Sequence, residues 1–396
     1  MRKVLSVIHF PVFGGLHNQV LRLHAPLAQR GWEIIAVLPE EGSDAAARLR
    51  TAGIRIIQMP LHRPRKSLNP LLHVALGLCL GPEIHGLSRV IRDHRIDVVQ
   101  VSNPMNVHGA LAARAEGVAV VWQLAGTFTP KLIRCIMMPF VTRLADVVMS
   151  TGLEVARSHR GATELGERLV LYFPPVDTNQ FRPNENLRRR AREALGVRDG
   201  SILVGTVGNL NWTKGHEFLV RAAAVVCRER PDIVFRILGA QTPSNAAYYQ
   251  RSVVQEARQL GLLEGNRLRI VEPGDQVAEL LPAFDLFVLT SRLEGVPTTV
   301  LEAMSCGLPV VVTDVGAVRE VVEDGVTGYV VPPLDPEAIA RAVLGLAGAR
   351  DLRAAMGEVA RRRAVERYDV RSCAETHIKA YELAIAHRRK AKPSGS

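Results

Sequence analysis

Glu294 and Glu302 are the two side chains whose type and spacing point most directly to chemistry. They sit in Ser291 to Asp314, SRLEGVPTTVLEAMSCGLPVVVTD, one on each side of a predicted helix start. Asp285-Leu-Phe-Val-Leu-Thr290 before them is a short apolar run of buried-strand type. Thr298 to Ser305, without Gly or Pro and preceded by Pro297, reads as a helix that Gly307 and Pro309 stop. Val310 to Thr313 returns as a second buried strand, so the stretch reads β-loop-α-β, with its loop at the carboxyl end of a parallel strand. In that frame Glu294 lies in the loop and Glu302 about one turn into the helix, where it can accept two hydroxyls of a ribose. The unpaired N–H groups around Val296, Thr298 and Thr299, at the positive end of the helix dipole, suit a pyrophosphate. Glu302 has a second reading, because Thr299-x-x-Glu302 is also a capping box that only satisfies helix ends. Glu294, a loop carboxylate beside Gly295, has no capping work, and its alternative is a solvated surface charge.

The elements that must carry these groups alternate in type along the chain. Glu33 to Leu38, Ile96 to Val101 and Ala119 to Gln123 read as strands of a first half. Ile202 to Val207, Val234 to Leu238, Leu268 to Val271, Leu286 to Leu289 and Val310 to Thr313 read as strands of a second. Such alternation with helices predicts an α/β fold of two Rossmann-like parallel-sheet domains. Phe10-Pro-Val-Phe-Gly-Gly15 reads as a buried first strand leading into a glycine loop, followed by a helix from Leu16 to Arg30. The second half opens the same way, with a loop from Gly208 to Gly215 and a helix from His216 to Arg230. Tyr172-Phe-Pro-Pro-Val-Asp-Thr-Asn-Gln-Phe-Arg-Pro183 carries three prolines and places the domain boundary near Phe181, with a cleft there as the expected active site. The division is thus 1–181, 182–372 and a final helix within 373–396.

Ser-x-x-Glu-Gly-x-Pro-x-x-x-Leu-Glu-Ala-Met-x-x-Gly-x-Pro-Val-Val, from Ser291 to Val311, resembles the signature of glycosyltransferase family 4. Asp314-Val-Gly-Ala-Val-Arg-Glu320 and Val321 to Gly328 continue the likeness downstream. Val207-Gly-Asn-Leu-Asn-Trp-Thr-Lys-Gly215 resembles the family's phosphate loop with its lysine, and the likeness runs over nearly the whole chain. The resemblance implies a retaining enzyme of the GT-B architecture, its two domains facing across a cleft and its final helix, read at Tyr368 to Arg389, crossing back onto the first. It implies a nucleoside-diphosphate sugar as donor, UDP-linked by preference, and no separate cofactor.

In that frame Lys214 sits over the pyrophosphate, helped by Gly208 and the rest of its loop. A cation there and oriented amides stabilise the departing diphosphate. The nucleobase rests against Glu272 to Gly274, with Pro273 and Gly274 in the turn, and Gly239 borders the pocket. Glycine in such turns also has a purely geometric explanation. The family usually carries an arginine where this chain has Asn209, and Arg292 is the candidate substitute. On the acceptor side, Gly14 and Gly15 offer bare backbone after the first strand. The chain departs from the family again at Ala125 and at Asn103, where histidines are common; His108 is near enough to stand in for the latter.

Composition bounds the remaining choices. The chain has 396 residues, 47% hydrophobic and 22% charged, which suits two globular domains of about 150 to 200 residues each. Its five cysteines are scattered without a C-x-x-C pair, which fits a reducing cytoplasm and suggests neither a disulfide framework nor a zinc site. With no D-x-D, no H-E-x-x-H and no clustered His/Asp spacing, the expectation is metal-independent transfer. The apolar run Val4 to Ile8 is too short for a secretion signal, and no stretch reaches the roughly 20 residues of a membrane span. The formal net charge of +11 with only 5% aromatics argues against nucleic acid as partner. Arg63-Pro-Arg-Lys66 before Leu68 to Leu80 reads either as a basic-flanked helix resting on an anionic bilayer or as one packed under the first domain. The first option would place the protein peripherally on the membrane and favour a lipid-linked acceptor over a small soluble one. The alternatives to a sugar transferase are a catalytically silent nucleotide-sugar binder, motivated by Asn209 and Ala125, and a non-hydrolysing epimerase, which the motif order disfavours.

Overall fold

A computed structural model describes residues 1–41, 44–62, 70–127, 129–241 and 245–391, without the side chains of 70–78. The chain forms two compact α/β units, Met1–Pro175 with Val370–Ser396, and Val176–Asp369. Phe181, where the sequence suggests the break, is buried inside the second unit, and its carbonyl accepts from Ser305 Oγ and Arg361.

The first unit is built on seven strands, β1 (Arg2–Val7), β2 (Trp32–Pro39), β3 (Arg55–Met59), β4 (Val98–Ser102), β5 (Ala119–Leu124), β6 (Val147–Thr151) and β7 (Leu169–Tyr172). They are all parallel, in the order β3-β2-β1-β4-β5-β6-β7. The second holds six more, β8 (Ile202–Val207), β9 (Ile233–Leu238), β10 (Leu268–Val271), β11 (Leu286–Leu289), β12 (Val310–Thr313) and β13 (Gly328–Val331), parallel in the order β10-β9-β8-β11-β12-β13. The runs of Val, Ile and Leu form these strands because helices cover both faces of each sheet, so neither face needs polar alternation. In each sheet the strand order reverses beside the opening strand, between β1 and β4 and between β8 and β11. Loops leaving the carboxyl ends of such a strand pair diverge to opposite faces and open a crevice.

The helix Val370–Ala391 completes the first unit. Cys373, Ala374, Ala380, Tyr381 and Ala384 join its core, Tyr381 donates to Gln100 Oε1 at 2.7 Å, and His377 Nε2 lies 2.7 Å from Gln19 Nε2. Phe10-Pro-Val-Phe13 is not part of a strand, since β1 ends at Val7 and Phe10 and Val12 are exposed loop residues. The two prolines and glycines expected of a loop outweigh the aromatic residues there. The basic cluster Arg63-Pro-Arg-Lys66 lies outside the described residues. The helix that follows it runs Pro70–His94.

Candidate donor site

β8 and β11 end side by side, and their loops bring together residues distant in sequence. After β8 the chain turns through Gly208 to Asn211, whose side-chain oxygen accepts from the Lys214 N–H at 3.2 Å and from Thr213 Oγ1 at 2.5 Å. After β11, Thr290 Oγ1 donates to the Lys214 carbonyl at 3.0 Å, and the Arg292 N–H donates to the Thr213 carbonyl at 2.8 Å. The two loops are thereby stitched backbone to backbone. Lys214 Nζ lies 2.6 Å from Glu294 Oε1, and Ser291 Oγ donates to the same oxygen at 2.6 Å. Glu294 is only 6% exposed. It is therefore not the solvated loop charge that the sequence left open, and an ionised carboxylate at such depth is retained because an ammonium and a hydroxyl satisfy it.

The helix Thr298–Ser305 begins directly after this loop, with Pro297 as its N-cap and no side-chain cap hydrogen bond. The capping-box reading of Glu302 therefore fails: Thr299 already lies inside the helix, and its buried Oγ1 has no partner. Glu302 is 4% exposed in the same helix. Gly295, Val296, Thr298 and Thr299 line the helix entrance, where first-turn amides have no intrahelical acceptor and aim the positive dipole end outward.

Several supports escape linear reading. Gly316, in the loop after β12, has a φ of +60°, and a Cβ there would meet the Glu294 carbonyl oxygen at 2.3 Å. The next residue, Ala317, donates its N–H to the Gly295 carbonyl at 2.9 Å, so this loop buttresses the backbone that carries Glu294. Glu217, buried in the helix after Lys214, pairs with Arg292 at 2.5 Å and accepts from the Tyr248 hydroxyl. Arg292, the candidate phosphate contact, thus has its guanidinium engaged by Glu217 and placed 4.8 Å from the Trp212 ring centre and 4.5 Å from that of Phe218. Only proximity in space, not spacing in sequence, would have found Glu217 or Gly316. His216 is fully buried beside the lysine. Burial first, and the Lys214 charge second, hold its pKa down to about 3, so it stays neutral.

The remaining donor-side residues fall around this centre. Gly208 packs against the Lys214 side chain at 3.4 Å, whereas Asn209 is exposed. Gly239 has a geometric need to be glycine, since a Cβ would meet the Gly208 carbonyl oxygen at 2.2 Å, and this keeps the loops after β8 and β9 in close approach. Pro273 accepts from the Gln276 N–H in a turn in which Gly274 has a φ of +52°.

In the first unit, the loops after β1 and β4 hold the other predicted residues. Gly14 caps the helix Gly15–Ala28 and donates its N–H to His17 Nδ1 at 3.2 Å. Asn103 takes a positive φ of 66° at the end of β4, and its carbonyl accepts from the Trp122 indole at 2.9 Å. Ala125 follows β5 and is half-buried. His108 is buried, with Nε2 3.1 Å from Glu83 Oε2 and Nδ1 3.1 Å from His9 Nε2. Its pKa is pushed down by burial against the opposing pull of Glu83. His62 and Cys79 converge on the same Glu83, with donor atoms all within 4.8 Å, a grouping that no linear spacing announces.

Residues 188–363 match the family described as Glycosyl transferases group 1, and residues 14–170 match the Glycosyl transferase 4-like domain. A D-inositol 3-phosphate glycosyltransferase of Corynebacterium urealyticum is 31% identical over 60% of this chain, which spans 56% of that relative's length. A GDP-mannose-dependent alpha-(1-6)-phosphatidylinositol monomannoside mannosyltransferase of Mycolicibacterium smegmatis is 31% identical over 72% of this chain and 76% of its own. Among solved structures, that of Anabaena Alr3699/HepE in complex with UDP superposes with a TM-score of 0.80 at 20% identity, over 96% of this chain and 100% of that one. That likeness is one of fold, and the fold is the GT-B type.

Proposed function

The chain belongs to the group 1, family 4-like glycosyltransferases, and from that premise we propose that it moves a hexosyl or hexosaminyl group from a nucleoside-diphosphate sugar to a hydroxyl acceptor, with retention and without a metal. The observation that carries this reading is the Lys214–Glu294 pair, 2.6 Å apart at the carboxyl ends of β8 and β11 and beside the amino end of the helix Thr298–Ser305.

The chemistry asks for positive charge where a diphosphate departs. Lys214 Nζ and the amides of Gly295 to Thr299 supply it from fixed positions, the arrangement that lowers a barrier most because nothing reorganises as charge develops. Glu294 holds the ammonium in place and offers its remaining lone pairs to hydroxyls of the transferred sugar, while Glu302 takes the ribose. The bond from the anomeric carbon to the phosphate oxygen breaks, and its electron pair leaves with the nucleoside diphosphate. The acceptor oxygen bonds to the same face of that carbon, and its proton passes to the departing phosphate oxygen. The products are a glycoside of unchanged anomeric configuration and a nucleoside diphosphate.

UDP is the preferred carrier in this proposal, supported by the UDP bound in the Anabaena structure; GDP, named for the mycobacterial relative, is the competing base. For the acceptor we favour a phosphate-bearing cyclitol. Both relatives are named for inositol compounds that carry phosphate, one of them as a lipid. A lipid-borne form would be met at the cytoplasmic face of a membrane, with the protein bound peripherally. Titration calorimetry with UDP-, GDP- and ADP-sugars, followed by NMR of the product's anomeric proton with inositol phosphate and phosphatidylinositol as acceptors and EDTA present, tests all of these points. An inverted product, or activity abolished by EDTA, would refute the mechanism. Binding of the donor with neither transfer nor hydrolysis would favour a silent binder, the reading that Asn209 and Ala125 motivate.

A further inference from the structure

In the first unit the helix Lys131–Leu144 leaves an apolar stripe in water. Leu132 is 72% exposed, Ile136 57% and Phe140 54%, at successive spacings of four, with Ile133 beside them. At 100° per residue these four side chains share one face, while Met138 and Val141 on the opposite side are fully buried in the unit. The helix therefore has an inner anchor and an outer face of large apolar groups, and so contiguous a face in water marks an interaction surface.

Charge identifies the occupant. The helix carries Lys131, Arg134 and Arg143 and no acidic residue. The unit that bears it, Met1–Pro175 with Val370–Ser396, has 26 Lys and Arg against 14 Asp and Glu, whereas Val176–Asp369 has 24 against 25. The whole positive excess of the chain thus lies in the unit with the exposed stripe. No helix among the described residues is long and apolar enough to cross a membrane.

We propose that the outer face of Lys131–Leu144 is a membrane-docking surface, seated in the headgroup layer of an anionic bilayer with Leu132, Ile136 and Phe140 as its apolar anchors. A helix of this kind lies in the plane of the interface, its apolar side chains among the acyl chains and its basic residues among the lipid phosphates. The inference deepens the membrane-side placement proposed above, on which it rests, and assigns it to a helix other than the one that follows Arg63 to Lys66.

The test is co-sedimentation of the full chain with vesicles of phosphatidylcholine alone or mixed with phosphatidylglycerol, at low and high salt. The wild-type chain should bind the mixed vesicles and lose much of that binding as salt screens the charges. The triple variant Leu132→Ser, Ile136→Ser, Phe140→Ser should bind at least about tenfold more weakly while keeping its circular dichroism and donor affinity. Arg143→Glu, which leaves the apolar face intact, should weaken only the salt-sensitive part. Wild-type binding that the triple variant retains in full overturns this surface but leaves the membrane placement standing. A wild-type chain that ignores both vesicles overturns the two together. Equal binding to neutral vesicles, or a dimer that the triple variant disperses, overturns the anionic bilayer as occupant.

Discussion

Lys214 and Glu294 divide one task between them. The ammonium serves the leaving group, and the carboxylate keeps the ammonium where it serves. Lys214→Ala should lower kcat by about 100- to 1000-fold, the usual cost of losing one preorganised donor to developing charge, with a smaller rise in donor Kd. Glu294→Ala should cost as much or more, because it releases Lys214 and Ser291 together. Single-turnover rates at saturating donor measure this directly, and turnover undiminished in either variant would show that the transfer happens elsewhere. Glu294 and Glu302 were legible as a pair because both fall within one β-loop-α-β unit. Glu217 was not, since its value lies in an ion pair with Arg292 from another strand's loop, and only the β8–β11 adjacency creates that pairing.

At the scale of elements, position comes from the loops after β8, β11 and β12, which lean on one another through backbone contacts. Gly316 is the tightest of these supports. Gly316→Ala must place a methyl against the Glu294 carbonyl at a positive φ, for which the expected cost is about 2 kcal/mol or more, a melting shift of about 5 °C for a unit of this size. Donor affinity should fall with it, because the loop that shifts is the one carrying Glu294; thermal melts and donor titrations of the same variant check both. Helices and strands buried on both faces were read from the sequence to within a residue or two, Leu268–Val271, Leu286–Leu289, Val310–Thr313 and Thr298–Ser305 to the residue. β3 went unread because Arg55 and Gln58 interrupt its apolar pattern at a sheet edge where no residue is fully buried. The apolar stripe of Lys131–Leu144 was illegible for the opposite reason. Its composition is that of a core helix, and only the fold shows that one side faces water.

For the whole molecule, each unit holds one fully buried histidine that titrates far below its ordinary value. Burial and then the Lys214 charge keep His216 at about 3; burial, against the hydrogen bond to the Cys373 carbonyl, keeps His377 at about 4. In the unfolded chain both would titrate near about 6.5, so below that pH the unfolded state binds protons that the folded state refuses. Stability should therefore be flat above neutrality and fall on acidification, by about 1.4 kcal/mol per pH unit for each histidine between roughly pH 6 and pH 4. Urea melts across that range read the slope. A slope unchanged in His377→Gln would show that this residue is not a source of it.

The helix Val370–Ala391 also bears on biosynthesis. The ribosome releases the seven strands of the first sheet long before it makes the segment that covers them, whereas every residue of the Val176–Asp369 unit emerges in one continuous run. The later-made unit can thus mature first, while the earlier one waits with a bare flank until translation is almost over. A nascent chain stalled short of Val370 should give protease-resistant fragments from its second half and none from its first.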